Sequence, residues 1–142
     1  MNIETLKKKM LVLNELLTSI MEESGYSETA DLLSVEWNEK DPNECMLHDE
    51  LFGLLQQLDC VHSVLTYLEK PIIHEGVLTY NRNSRYAIGD YELNEGDILE
   101  VLELDEYTKN YVWRETHVPR RDNSKEVFKS LASEGKKARI RR

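Results

Sequence analysis

The sequence predicts an α+β chain in which an antiparallel helical hairpin with a short third helix is followed by a small SH3-like antiparallel β-barrel. Three observations carry this. Apolar residues recur at heptad spacing through residues 1–70. From Glu75 onward the period changes from helical to alternating. The stretch KKARIRR then sets Ala138 and Ile140 on one side and Lys137, Arg139 and Arg141 on the other, the alternation of a half-buried strand. The domains are accordingly 1–70, an acidic helical hairpin, and 71–142, a small β-barrel with a basic C-terminal strand.

In the first helix Ile3, Leu6, Met10, Leu13, Leu17 and Ile20 form one stripe, and Gly25 supplies the stop. A second seam runs through Leu47, Leu51, Leu54, Leu58, Val61, Leu65 and Leu68, with Asn43 as its N-cap and Pro71 closing it. Burying each Leu or Ile is worth roughly 1.5–3 kcal/mol, so the two seams are expected to pack on each other. The same seams can instead zip two protomers together into a homodimer. Between them, SETADLLSVEWNE reads as the third helix, capped by Ser27, and KDPNE as a turn. Downstream, GVLTY, RYAIG, YEL, ILEVLEL, YVWRET and VFKSL are strand candidates separated by turn clusters such as NRNS and NEGD. The stretch SEG precedes KKARIRR, which reads as the closing strand with its cations outward.

The composition, 40% hydrophobic and 32% charged over 142 residues, is that of a folded domain and not of a disordered chain. No run of about 18 apolar residues exists to cross a membrane. The opening MNIETLKKKMLVLNELL has lysines before apolar residues, as a secretion leader does. Asn14 and Glu15 interrupt it and no small-residue cleavage site follows, so a helix of a cytoplasmic protein is expected. Charge is segregated: 14 acids and 5 bases in residues 1–70, 10 and 4 in 71–118, 3 and 9 in 119–142.

The order RYAIGDYELNEGDILEVL, VWRETHV, EGKKARIRR resembles a small uncharacterised domain family of Gram-positive bacteria and their mobile elements, over residues 75–142. That family has no established activity. What the resemblance implies is a context: the cargo of a phage, plasmid or conjugative element.

No catalytic constellation is found, so an enzyme is not expected. Cys45-x-x-His48 and Cys60-x-His62 have the residue types of a zinc site, but the pairs lie about 22 Å apart on one helix at 1.5 Å per residue, too far to share an ion. Glu115 and His117 share a strand face without a nucleophile or a phosphate-binding loop beside them. No cofactor is implied.

Two charged surfaces remain. The acids Glu22, Glu23, Glu28, Asp31, Glu36, Glu39 and Asp41 are either a solvated exterior or a surface that imitates phosphate spacing in the basic groove of another protein. The bases Arg114, Arg120, Arg121, Lys136, Lys137, Arg139 and Arg141 either track nucleic-acid phosphates, with Tyr111 and Trp113 to stack on bases, or neutralise neighbouring acidic strands. The expected function is protein binding by a mobile-element product: an inhibitor of a host nucleic-acid-handling or defence nuclease, such as a CRISPR effector, in the manner of an anti-CRISPR. Direct nucleic-acid binding and a structural dimerisation module are the alternatives.

Overall fold

The computed structural model describes residues 1–120, 128 and 135–142. The chain divides into two units, Met1–Glu69 and Lys70–Arg142.

In the first unit, α1 spans Ile3–Ser24. Asn2 caps it, its Oδ1 accepting the N–H of Thr5 at 2.9 Å. Gly25 ends it in the left-handed region at φ 63°, donating its N–H to the carbonyls of Glu22 and Met21. A Cβ on Gly25 would lie 2.6 Å from Ser34 Oγ and 2.9 Å from the Ser34 backbone nitrogen. That nitrogen already donates to the Ser24 carbonyl at 3.0 Å, so it has little room to yield. Gly25→Ala is therefore expected to destabilise the unit by about 1–2 kcal/mol, seen as a lower urea midpoint.

The expected third helix is not there. Tyr26–Ser27 (β1) and Asp31–Leu32 (β2) instead pair antiparallel, Tyr26 opposite Leu32 and Ser27 opposite Asp31. The tight reversal carries Asp31 to φ 126°, where its own carboxylate accepts the N–H of Leu32 at 2.8 Å. Such local side-chain bonds compete with a helix. The second helix, α2, spans Pro42–Glu69. Its cap is Asp41 and not Asn43: Asp41 Oδ1 accepts the N–H of Asn43 at 2.9 Å, and its carbonyl accepts that of Cys45 at 3.0 Å. Pro42 fits the first helical position because its missing N–H would have gone unused there.

The two helices lie against each other, contacts on α2 falling in number as those on α1 rise. Asn14 reaches His62, Thr66 and Glu69, whereas the Tyr26 ring is 6.0 Å from that of Phe52. The inward stripe differs in phase from the expected seam. Met10, Asn14, Leu17 and Met21 turn away from solvent, while Leu6, Leu13 and Ile20 are 39–41% exposed. On α2, Leu55 and Leu65 are buried and Leu47, Leu51, Leu54 and Val61 are exposed. Asn14 explains the rotation. It is 2% exposed and fully engaged: Nδ2 donates to Thr66 Oγ1 at 3.3 Å and Glu69 Oε2 at 3.2 Å, and Oδ1 lies 2.9 Å from His62 Nδ1. A buried amide with partners on only one side fixes which face of α1 meets α2.

The second unit is a six-stranded antiparallel sheet: β3 (Ile72–Tyr80), β4 (Tyr86–Ile88), β5 (Tyr91–Glu92), β6 (Ile98–Leu104), β7 (Tyr111–His117) and β8 (Lys137–Arg141), in the order β5-β4-β3-β8-β6-β7. KKARIRR is thus a strand, but a central one. Among the described residues no ladder joins β7 to β5, so the sheet is open where a closed barrel was expected. The strand expected over VFKSL lies outside the described residues apart from Phe128, whose side chain is buried. One face of the sheet is the core: Leu78, Leu99, Val101, Ala138 and Ile140 are at most 1% exposed and pack with Ile88, Leu93, Val118 and Phe128.

Candidate functional site

The face of the sheet opposite the core is organised by one buried carboxylate. Register places Glu75, Arg139, Glu100 and Glu115 in a single row across β3, β8, β6 and β7. Glu100 is 6% exposed, a position an isolated charge does not occupy. Arg139 Nε donates to its Oε2, and Arg141 Nε donates to its Oε1 at 2.8 Å. Arg139 also lies over Trp113, 4.1 Å from the ring centroid, and Arg141 Nη1 donates to the Lys70 carbonyl at 3.1 Å. Burial pushes the Glu100 carboxyl upward, but the hydrogen bonds from Arg141 and Arg139, with their charge, more than offset this and hold it below the ordinary glutamate range.

The other basic candidates are placed in the same manner. Lys137 Nζ is 3.1 Å from Glu75 Oε1. Arg114 Nη2 is 2.7 Å from Asp105 Oδ2, and its Nε is 3.6 Å from Glu103 Oε2. Asp105 is held low by the backbone N–H of Thr108 first, burial opposing, with the Thr108 hydroxyl, the Tyr107 N–H and Arg114 adding to the effect. The Arg120 guanidinium lies over Gly96, where an ideal Cβ would approach its Nε to 2.6 Å. Lys136 lends its carbonyl to the N–H of Leu78 at 2.8 Å. The neighbouring Arg142 pairs with Asp97 at 2.9 Å. Arg121 lies outside the described residues. The outward cations are thus knitted into the sheet, and Arg139 and Arg141, at 18% and 13% side-chain exposure, are mostly covered.

The acidic candidates of the first unit divide in two. Asp41 caps α2, and Asp31 Oδ1 accepts from Leu32 and lies 3.0 Å from His48 Nε2. These two serve the local fold. Glu22, Glu28, Glu36 and Glu39 are exposed, and among the described residues no cation pairs with them; Glu23 is likewise exposed and accepts only the Ser19 hydroxyl, at 2.6 Å. The two Cys/His pairs go separate ways. His48 stacks on Trp37 with ring centroids 4.2 Å apart, His62 joins Asn14, and Cys45 Sγ donates to the Glu39 carbonyl. Among the described residues no group of three or more His, Cys, Asp or Glu side chains converges to hold a metal ion.

Sequence reasoning missed Glu100. Its signal was an acid between apolar neighbours in ILEVLEL together with alternating arginines in KKARIRR. Only the pairing of β6 with β8 connects them.

Comparison with protein-family models, with curated proteins and with solved structures finds no match.

Proposed function

We propose that this chain is a non-catalytic protein-binding protein of a mobile element. Its first unit is an antiparallel helical hairpin whose acidic end occupies the basic groove of a nucleic-acid-handling host protein and blocks it, as an inhibitor of a defence nuclease would. The observation that supports this reading is an asymmetry of neutralisation. Arg114, Lys137, Arg139 and Arg141 of the sheet are engaged by its own carboxylates, whereas Glu22, Glu28, Glu36 and Glu39 face solvent without a cation among the described residues. Unmatched acids on a chain of net charge −9 favour a cationic partner and steer its approach.

The test is capture from a bacterial lysate at low and high salt, comparing the wild type with Glu28→Lys/Glu36→Lys/Glu39→Lys. The wild type is expected to capture, at low salt, a protein whose own nucleic-acid binding it inhibits, and the triple variant is expected to lose that capture. Capture unaffected by charge reversal, or no inhibition, overturns the reading. A gel shift with DNA and RNA is the parallel measurement. A shift abolished by Lys137→Glu with Arg120→Glu would move the function to the sheet. Arg139 and Arg141 are unsuitable for that control because their removal strips Glu100 of its partners.

A further inference from the structure

We propose that α1 carries a second seam, distinct from the one facing α2, that binds α1 of another copy of this chain in antiparallel orientation. The seam is Leu6, Lys9, Leu13, Leu16, Ile20 and Glu23, spaced 3, 4, 3, 4 and 3 along the helix. Leu6, Leu13, Leu16 and Ile20 are exposed by 41, 39, 57 and 40%. Four large apolar side chains aligned over four turns are a patch and not the scattered exposure ordinary on a surface.

The patch continues on α2. Leu47, Leu54, Val61 and Val64 are exposed by 53, 50, 38 and 59%. On both helices each seam residue immediately precedes one turned inward: 13 before 14, 16 before 17 and 20 before 21 on α1; 47 before 48, 54 before 55, 61 before 62 and 64 before 65 on α2. Each seam is therefore rotated from its helix's inward stripe by the same angle, about 100°, in the same sense. Because the helices run in opposite directions, equal rotations in the same sense bring both seams to the same side of the pair. The result is one apolar face two helices wide, the geometry that completes a four-helix bundle.

Charge selects the occupant. The α1 seam has Lys9 toward one end and Glu23 at the other, with Leu13 and Leu16 between them. An antiparallel copy centred between Leu13 and Leu16 brings Lys9 of each chain within a turn of Glu23 of the other, at both ends. A parallel copy sets lysine on lysine and glutamate on glutamate. Self-complementarity about a two-fold axis is what an isologous dimer requires. This seam is separate from Glu28, Glu36 and Glu39, so loss of partner capture and loss of self-association are independent results.

Sedimentation equilibrium across concentration tests it. The wild type is expected to reach twice 16.7 kDa. Leu13→Glu with Leu16→Glu, at exposed positions, is expected to keep its helical circular dichroism and to raise the dimer dissociation constant at least about thirtyfold. Lys9→Glu is expected to weaken the dimer and Lys9→Glu with Glu23→Lys to restore it. A single-chain mass at every concentration, association that survives the leucine changes, or a charge swap that fails to restore it each overturns the proposal. A monomer whose seam is covered only when another protein is added overturns it too and assigns the face to that protein.

Discussion

Glu100→Gln is expected to lower the stability of the sheet unit by about 3–5 kcal/mol, the cost of stripping one partner from a buried ion pair. Glu100 is covered, and Arg139 and Arg141 are nearly so, so the substitution leaves two guanidinium groups facing a neutral amide out of water. Against a usual total of 5–15 kcal/mol that is a large fraction. The change should be read from Trp113 fluorescence in a Trp37→Phe background, since Trp113 lies under Arg139. A pH signature accompanies it. The folded carboxyl titrates below its unfolded value. As pH falls past about 4.3, the unfolded chain takes up the proton first. The stabilisation is therefore complete above that value, is lost as pH falls through the folded pKa, and is absent below both. Urea unfolding of Glu100→Gln should show a flatter acid limb than that of the wild type. An unchanged limb would remove Glu100 from the account of acid sensitivity.

Leu99→Ala is expected to cost about 2–5 kcal/mol, while Leu104→Ala, on the same strand, costs about 0.5 kcal/mol or less. Leu99 is fully buried in β6 among the core side chains, and its truncation leaves a cavity between the sheet and Val118 and Phe128. Leu104 points to the other face and is 49% exposed. Urea midpoints of the two variants compare them directly. Similar losses would mean that the face opposite the core is as tightly packed as the core itself.

What could be read from the sequence was local periodicity, and what escaped was long-range pairing. Ala138 and Ile140 were legible as inward residues because alternation alone decides a strand face. Heptad spacing alone points Leu6, Leu13 and Ile20 at α2, yet they are 39–41% exposed. The residue that sets the true phase is Asn14, a polar side chain whose partners lie 48–55 positions away. The third helix failed for a related reason. SETADLLSVEWNE has helical composition, but the left-handed turn at Gly25 and the carboxylate of Asp31 hold its start in a reversal. For the candidate surfaces, the acids and bases were legible as charge runs. Which of them are already neutralised was not, because β8 meets Glu75 on one side and Glu100 on the other only in the folded sheet.

The central placement of β8 has a kinetic consequence. β3, β4 and β5 form consecutive local pairings, and so do β6 and β7, but among the described residues the two groups have no ladder in common except through β8. Each can zip early, yet they remain separate ribbons until the strand written after all the others arrives to join them. Nucleating the whole sheet means closing a loop of roughly sixty residues or more, the kind of high-contact-order event that slows folding. Until it occurs, the inner edges of β3 and β6 stand open to strands of other chains.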